Sequence, residues 1–433
     1  MPQRYLVVGI TAVAALWMYI DRVCFSTLAD PAQTDLGLTD EQKEYMLGAF
    51  FLTYALFQIP MGSLADRFGQ RLVLTLSIAA WSVVTALTGF VEGFATLLVM
   101  RLLLGVTESG AYPAAAGLVK SWARPQERGR FSSIVALGGR VGGASAPALT
   151  AVLAVALAGV ALTGTWDTPS GVNWRGVLFI YGLCGIVVAA VFWLFIRDRP
   201  PAPAPMAKKT DDAGGWAEAP PAAVVAPLTF EQRLRILARS RNMWLCGGAQ
   251  FGVNVGWAFV VTLLPSYLNQ VFGVPLEKRG EMQSVVLYVG CTGMVLGGVV
   301  TDALRKRLGP RLGRSVPIGT TLGGCAAAMF LIPALPTPWA VVAALGVMAF
   351  LVDLHNPSIW SFAQDVGGRN VGAALGWGNM WGNLGAAVSP RLLGAVARSA
   401  GWDAAFILSG VLFAAAAVCG FLLDATKPVE PEA

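Results

Sequence analysis

Two residues of opposite charge, Asp21 and Arg22, stand side by side in the stretch WMYIDRVCF, inside an otherwise apolar run. A charged side chain at bilayer depth costs about 2.5–3.5 kcal/mol on insertion scales, so charges in such runs face a bundle interior or a polar pathway. A second pair lies in RLLLGVTESGAYPA, where Arg101 and Glu108 are almost two helical turns apart and share one helix face, about 10 Å apart along the axis. Counted from the ends of the apolar runs, Asp21 lies about 12 Å and Arg101 about 10 Å below the same surface. The spacing therefore lets the two pairs meet. Two carboxyls can carry protons and two guanidiniums can bind an anion. With both acids ionised the charges balance, and an incoming carboxylate meets no free cation; protonating one acid frees one arginine. Proton and anion then favour each other's binding, which is linkage between two sites. The plain alternative is an ion-pair cluster that locks two helices together.

Further polar groups are spaced along other runs. Arg140, in GGRVGGASAP, lies near the middle of its run. Its planar fork suits a carboxylate or phosphate, and a cation held by backbone carbonyls is the other reading. The C-terminal half carries amides: Gln250 and Asn254 with Trp257 nearby, then Asn379 and Asn383 interleaved with Trp377 and Trp381, each pair at i, i+4. Amides beside an indole wall fit a hydroxylated ligand. The competing explanation is helix packing, because Gly376, Gly378, Gly382 and Gly385 bring backbones close enough for amides to bridge helices. Asp353 and the only histidine, His355, face different sides of a helix, so a structural or gating role near Pro357 is expected of them. The six cysteines lie in apolar runs without metal-ligand spacing, so no metal, cofactor or disulfide framework is expected. No nucleophile constellation points to an enzyme.

The element that must hold these groups is a membrane span. The 433 residues are 55% hydrophobic and 13% charged, against about 25% charged in soluble domains, and mean hydropathy is +0.62. The net charge of +6 is explained by basic loops on the cytoplasmic side, and no nucleic-acid partner is expected. The first apolar run, about 5 to 29, lacks the cleavage pattern of a signal peptide. Runs of about 20 apolar residues number six before a polar gap, at about 5–29, 43–65, 72–91, 94–119, 130–157 and 176–196, and six after it, at about 243–271, 281–303, 315–334, 338–362, 371–397 and 403–423. Arg67 and Arg71, then Lys120 to Arg130, then Arg305 to Arg314 occupy alternate short loops, which places both termini in the cytoplasm. The Pro- and Ala-rich gap has no apolar period and reads as a linker. The following LTFEQRLRILARSR alternates leucine with arginine, as a basic helix on the membrane surface does. The expected organisation is an all-α polytopic protein: a six-helix bundle at 1–197, a cytoplasmic linker with the basic surface helix at 198–240, and a second six-helix bundle at 241–433. The expected protein is a monomer whose partners are a small organic anion, protons and the bilayer.

An internal repeat joins the halves: GSLADRFGQR closes the second run and GVVTDALRKR the eighth, with Asp66 and Asp302 in equivalent places. The first of these resembles the G-x-x-x-D-R-x-G-R-R signature of the major facilitator superfamily, with Gly62, Asp66, Arg67, Gly69 and Arg71 matching and Gln70 departing. The resemblance implies the major facilitator fold, and implies that Gly62, Asp66, Arg67 and Arg71, with Asp302 in the second half, brace helix ends and set the conformational balance without touching substrate. YIDR, RLLLGVTESGAYPA and Tyr54 in FLTYALFQIPMG resemble the anion:cation symporter family, whose members include galactonate, glucarate and hexuronate transporters, sialin and the vesicular glutamate transporters. That resemblance implies Asp21 and Glu108 as proton carriers and Arg22 and Arg101 as anion-binding or coupling residues. The N-x-x-G-N-L-G of Asn379 to Gly385 is also family-like. Some animal relatives carry a further acid where this chain has Leu104, so one proton route of theirs is absent. The implied function is proton-coupled uptake, by alternating access across the cell membrane, of an organic anion such as a hexonate or hexuronate. The binding residues would be Arg22, Tyr54, Arg101, Arg140, Trp257, Asn379 and Asn383. The alternative is a drug/proton antiporter exporting small amphiphiles, on a loose likeness of GGRVGGASAPAL to an antiporter pattern. Pro147 follows Gly142 and Gly143 there instead of preceding them, and three arginines suit an anion better than a lipophilic cation.

Overall fold

The computed structural model describes residues 3–122, 128–158, 160, 170–198, 230–367 and 371–430, with no strand among them. Seven helices pack as one group: α1 (Gln3–Leu36), α2 (Asp40–Phe68), α3 (Gln70–Thr88), α4 (Phe94–Glu108), α5 (Ala111–Trp122), α6 (Arg128–Ala156) and α7 (Trp174–Phe195). After α8 (Phe230–Arg239), a second group comprises α9 (Arg241–Ala258), α10 (Leu264–Phe272), α11 (Leu276–Leu331), α12 (Pro338–Gly367), α13 (Val371–Ala400) and α14 (Trp402–Leu422). Ten helical stretches among the described residues are long and apolar enough to cross a membrane. α2 and α13, of 29 and 30 residues, are as long but more polar and fall outside that set. The expected count of twelve thus rests on apolar composition for ten. The linker at 199–229 lies outside the described residues.

Prolines and glycines account for the breaks. The fourth apolar run divides into α4 and α5 at Ser109–Gly110, because Pro113 offers no N–H to the carbonyl of Ser109 and its ring crowds that turn. Glu108 is the last residue before this break. Pro265 has the same effect on the seventh run, where a π turn at Phe259–Leu263 separates α9 from α10. The carbonyls freed there are not orphaned: Gln283 of α11 donates to Val260 O at 2.7 Å and to Val261 O at 3.2 Å. α11 turns at Gly309 (φ +77°), followed by Pro310, which divides it into two limbs, 276–308 and 310–331. Small residues let the helices approach: a methyl on Gly105 of α4 would strike Phe50 O and Thr53 of α2, and one on Gly142 of α6 would strike Leu16 O of α1.

The signature loop braces the end of the molecule nearest the linker. Arg71 donates to Trp193 O at 2.6 Å, and its guanidinium carbon lies 3.9 Å from the Trp193 ring centre. Asp198 accepts from the Arg71 amide at 2.8 Å, placing a carboxylate at the N-terminus of α3, where amides lack helical partners. Gly62 packs against Pro113, and Arg67 lies exposed over Phe68. In the second group the corresponding brace is Arg314 on Asp365 at 2.8 Å. The side chains of Asp66 and Asp302 lie outside the described residues. α8 forms as expected, with Leu237 buried and Leu234 exposed beside its arginines.

The two groups join toward the end opposite the linker. Asp30 of α1 accepts from Lys43 at 3.1 Å within its own group, and from Ser266 at 2.6 Å and Arg279 at 2.8 Å across the divide. Glu44 of α2 pairs with Arg398 of α13. Deeper in, Ser145 and Tyr288 share a hydrogen bond of 2.6 Å and Ser284 accepts from the Ala148 amide at 3.1 Å. Among the described residues, no hydrogen bond or ion pair joins the groups nearer the linker end than Gln58–Asn379, at 2.6 Å.

Candidate functional site

Arg22 is the centre of the site. Its Nε and Nη2 both donate to Oε2 of Glu108, at 3.0 and 2.9 Å, leaving Glu108 Oε1 buried without a hydrogen-bond partner. Three rings surround the guanidinium carbon: Tyr54 at 4.4 Å, Tyr19 at 4.8 Å and Phe50 at 5.0 Å from their centres. Each cation–ring contact of this kind stabilises by about 0.5–2 kcal/mol. Tyr54 also stacks on Phe50, 5.6 Å away. Arg22 is therefore held by its surroundings while only one carboxylate oxygen neutralises it.

The two charge pairs meet only in part: Arg22 reaches Glu108, while Asp21 and Arg101 pair with no opposite charge among the described residues. Asp21 is 1% exposed and both its carboxylate oxygens lack a hydrogen-bond partner; Trp81 of α3 lies beside it, short of hydrogen-bond geometry. Arg101, 4% exposed, meets no carboxylate among the described residues; it donates to Met46 O at 3.4 Å and lies 4.6 Å from the Phe25 ring centre. The cause is helix length. α1 runs on to Leu36 rather than ending with its apolar run at Ala29, so Asp21 lies about 22 Å from the helix end, not 12 Å. Arg101 consequently stands level with a later turn of α1 and meets Phe25.

Arg140 has a partner that sequence reasoning missed. Its Nη2 lies 2.5 Å from Oδ1 of Asp353, across the divide between the groups, and its guanidinium carbon is 5.4 Å from the Trp257 ring centre. A carboxylate, and not backbone carbonyls, holds it. Asn356 also donates to Asp353 Oδ1, at 3.0 Å. The available signal was an acid in the middle of the tenth run facing an arginine in the middle of the fifth. His355 faces elsewhere, as expected: its Nδ1 bonds Val352 O on its own helix.

The amides divide. Asn379 donates to Gln58 of α2 across the divide, whereas Asn383 donates to Asn379 O and Asn254 to Gln250 O on their own helices, at 2.8 and 2.9 Å. Trp377 and Trp381 cluster with Trp244, and Trp377 donates to Met243 O at 2.9 Å. These two indoles pack helices. Trp257 alone of the tryptophans named from the sequence stands beside a charge of the site. No group of three metal-ligating side chains occurs among the described residues.

Comparison with known proteins gives this arrangement a context. The chain is 30% identical to the probable sulfoacetate transporter SauU of Cupriavidus necator, over 99% of this chain and 95% of that one. It is 29% identical to the probable galactarate/D-glucarate transporter GarP of Escherichia coli (96% and 93% covered) and 26% identical to the hexuronate transporter of Bacillus subtilis (97% and 95%). Among solved structures it superposes on an inward-facing, occupied bacterial homologue of the human lysosomal transporter Spinster with a TM-score of 0.77, at 21% identity, covering 98% of this chain and 97% of that one. The family model of the Major Facilitator Superfamily matches residues 11–390. The protein, a multi-pass membrane transporter and not an enzyme, belongs to the Major Facilitator Superfamily.

Proposed function

We infer that this protein imports an organic anion together with protons, the anion being a sugar acid or a similarly small carboxylate or sulfonate. The observation that carries the reading is Arg22: boxed by Tyr19, Phe50 and Tyr54, neutralised by one oxygen of Glu108, with the unpartnered carboxyl of Asp21 next to it in sequence. A proton on Glu108 releases Arg22 to an anion, and an anion on Arg22 releases Glu108 to a proton. A buried carboxyl without a cation is accommodated far better neutral than charged, so Asp21 is the second proton carrier. Arg101, paired with neither acid, serves in coupling. The names of the relatives, carriers of sulfoacetate, galactarate or glucarate, and hexuronate, support the anion class. Asn379, Asn383 and Trp257 line the side of the second group that would meet the hydroxyls of a sugar acid.

The transport cycle is alternating access between two six-helix bundles, 1–197 and 241–433, joined by the 198–240 linker, with twelve spans once α2 and α13 are added to the ten apolar ones. The protein works as a monomer in the cell membrane with both termini in the cytoplasm. The closed end, at Asp30 and Glu44, then faces outward. Gly62, Asp66, Arg67, Arg71 and Asp302 set the balance between states.

Reconstituted in liposomes, Glu108→Gln is expected to lose uptake driven by an inward proton gradient and to keep substrate exchange. Gradient-driven uptake at the wild-type rate would overturn the proton assignment.

A further inference from the structure

We propose that Arg140 and Asp353 form a second acid-group subsite, so that the preferred substrate carries two acidic groups, one for Arg22 and one for Arg140. The proposal rests on the reading of Arg22 as the anion site and adds the chemical class of what binds there.

The two arginines are treated alike. Each is held by one internal carboxylate oxygen: Arg22 by Glu108 from α4, and Arg140 by Asp353 from α12. In each acid the remaining oxygen is buried without a hydrogen-bond partner. Each guanidinium also lies against an aromatic face, Tyr54 for one and Trp257 for the other. An internal carboxylate in that position occupies the place a substrate carboxylate or sulfonate would take, since the guanidinium fork fits either.

One aromatic residue connects the two arginines. Tyr19, whose ring centre is 4.8 Å from the Arg22 guanidinium carbon, packs on the glycines flanking Arg140: a methyl on Gly139 would come within 2.9 Å of the Tyr19 ring, and one on Gly143 within 3.1 Å. Tyr112 lies edge-on to Tyr19, at 6.3 Å between ring centres. Arg140 is the more accessible of the two, its side chain 20% exposed against 9% for Arg22.

The Arg140–Asp353 pair crosses the divide between helix groups, unlike Arg22–Glu108, which lies within one. Motion that parts the groups at this level separates the two charges and leaves Arg140 needing a negative partner. A substrate with a second acidic group brings that partner with it, while Asp353 keeps its hydrogen bond from Asn356. A monoacid satisfies Arg22 alone.

The test is affinity, read as thermal shift and equilibrium titration on the purified full-length protein, for matched probes: galactonate against galactarate, and acetate against sulfoacetate. In each pair the second member adds one acidic group. The wild type is expected to bind the second member at least tenfold more tightly, about the value of one charge-assisted hydrogen bond. Asp353→Asn, which frees Arg140, should raise diacid affinity several-fold relative to that of the monoacid. Arg140→Gln alone strands Asp353 and risks misfolding, so it is paired with Asp353→Asn. That double variant should fold and bind diacid only as well as monoacid. Equal wild-type affinity within each pair, or equal weakening of both members in the double variant, overturns the subsite while leaving the Arg22 reading intact. Failure of wild type to bind any of the four, with Arg22→Ala indistinguishable from it, removes the anion reading and the subsite together.

Discussion

Arg22 combines a structural task with a chemical one, and substitution separates them. Lysine keeps the charge but not the planar fork, so Arg22→Lys is expected to weaken anion binding and Arg22→Ala to weaken it further, by about tenfold to over a hundredfold, the value of a lost charge-assisted hydrogen bond. A purely structural arginine predicts a different outcome: Arg22→Ala would strand Glu108 and lower the melting temperature. Measuring melting temperature and affinity on the same preparation distinguishes the two, and a folded Arg22→Ala protein with wild-type affinity would rule out the binding role. At this scale the sequence was informative wherever chemistry is local. Asp21, Arg22 and Glu108 stand out because charges are scarce in apolar runs, and Arg22–Glu108 does form. What stayed hidden depends on how far helices extend past their apolar stretches, as with Arg101, or on which helices face each other across the divide, as with Asp353.

Helix contacts bear on the site through backbone rather than side chains. Gly105 lets α4 lie directly on the Phe50–Tyr54 turn of α2, and that turn supplies two of the three rings around Arg22. Gly105→Val is expected to cost about 1–3 kcal/mol by overpacking and to lower anion affinity with it; calorimetric melting and titration report the two effects, and an unchanged melting temperature would contradict the close approach. Arg71→Ala, at the brace on Trp193, is expected to alter transport rate while leaving the ranking of competing anions unchanged. A changed ranking would place Arg71 in the binding site. The apolar runs foretold most of these elements, and the leucine–arginine alternation foretold the basic helix α8. The breaks at Ser109–Gly110 and Phe259–Leu263 were not foretold, although Pro113 and Pro265 mark them, because proline four residues on from a freed carbonyl leaves hydropathy untouched.

For the whole molecule, the arrangement of polar bonds between the groups is what the sequence could not supply, since the partners stand from 136 to 354 residues apart. Asp30 gathers Lys43, Ser266 and Arg279, and its removal together with Arg279 should loosen the closed end while buried Lys43 keeps Asp40, at 3.6 Å, as its partner. In Asp30→Asn/Arg279→Gln, a thiol introduced by Ser284→Cys, with exposed Cys184 replaced by serine, is expected to react about tenfold faster with a membrane-impermeant maleimide added outside intact cells. Equal reactivity would show that these bonds do not hold the end shut.

The two indoles beside the acidic and basic groups have an optical consequence. Trp81 touches Asp21 and Trp257 faces Arg140, and indole emission responds to the charge next to it. The protein thus carries one intrinsic fluorophore at its unpartnered carboxyl and another at the guanidinium that crosses the divide. Difference spectra against Trp81→Phe and Trp257→Phe would isolate each against the fourteen tryptophans of the chain. Acidification without anion should then alter the Trp81 signal first, and anion at constant pH the Trp257 signal, so that a stopped-flow trace in two channels would time the order in which proton and anion arrive.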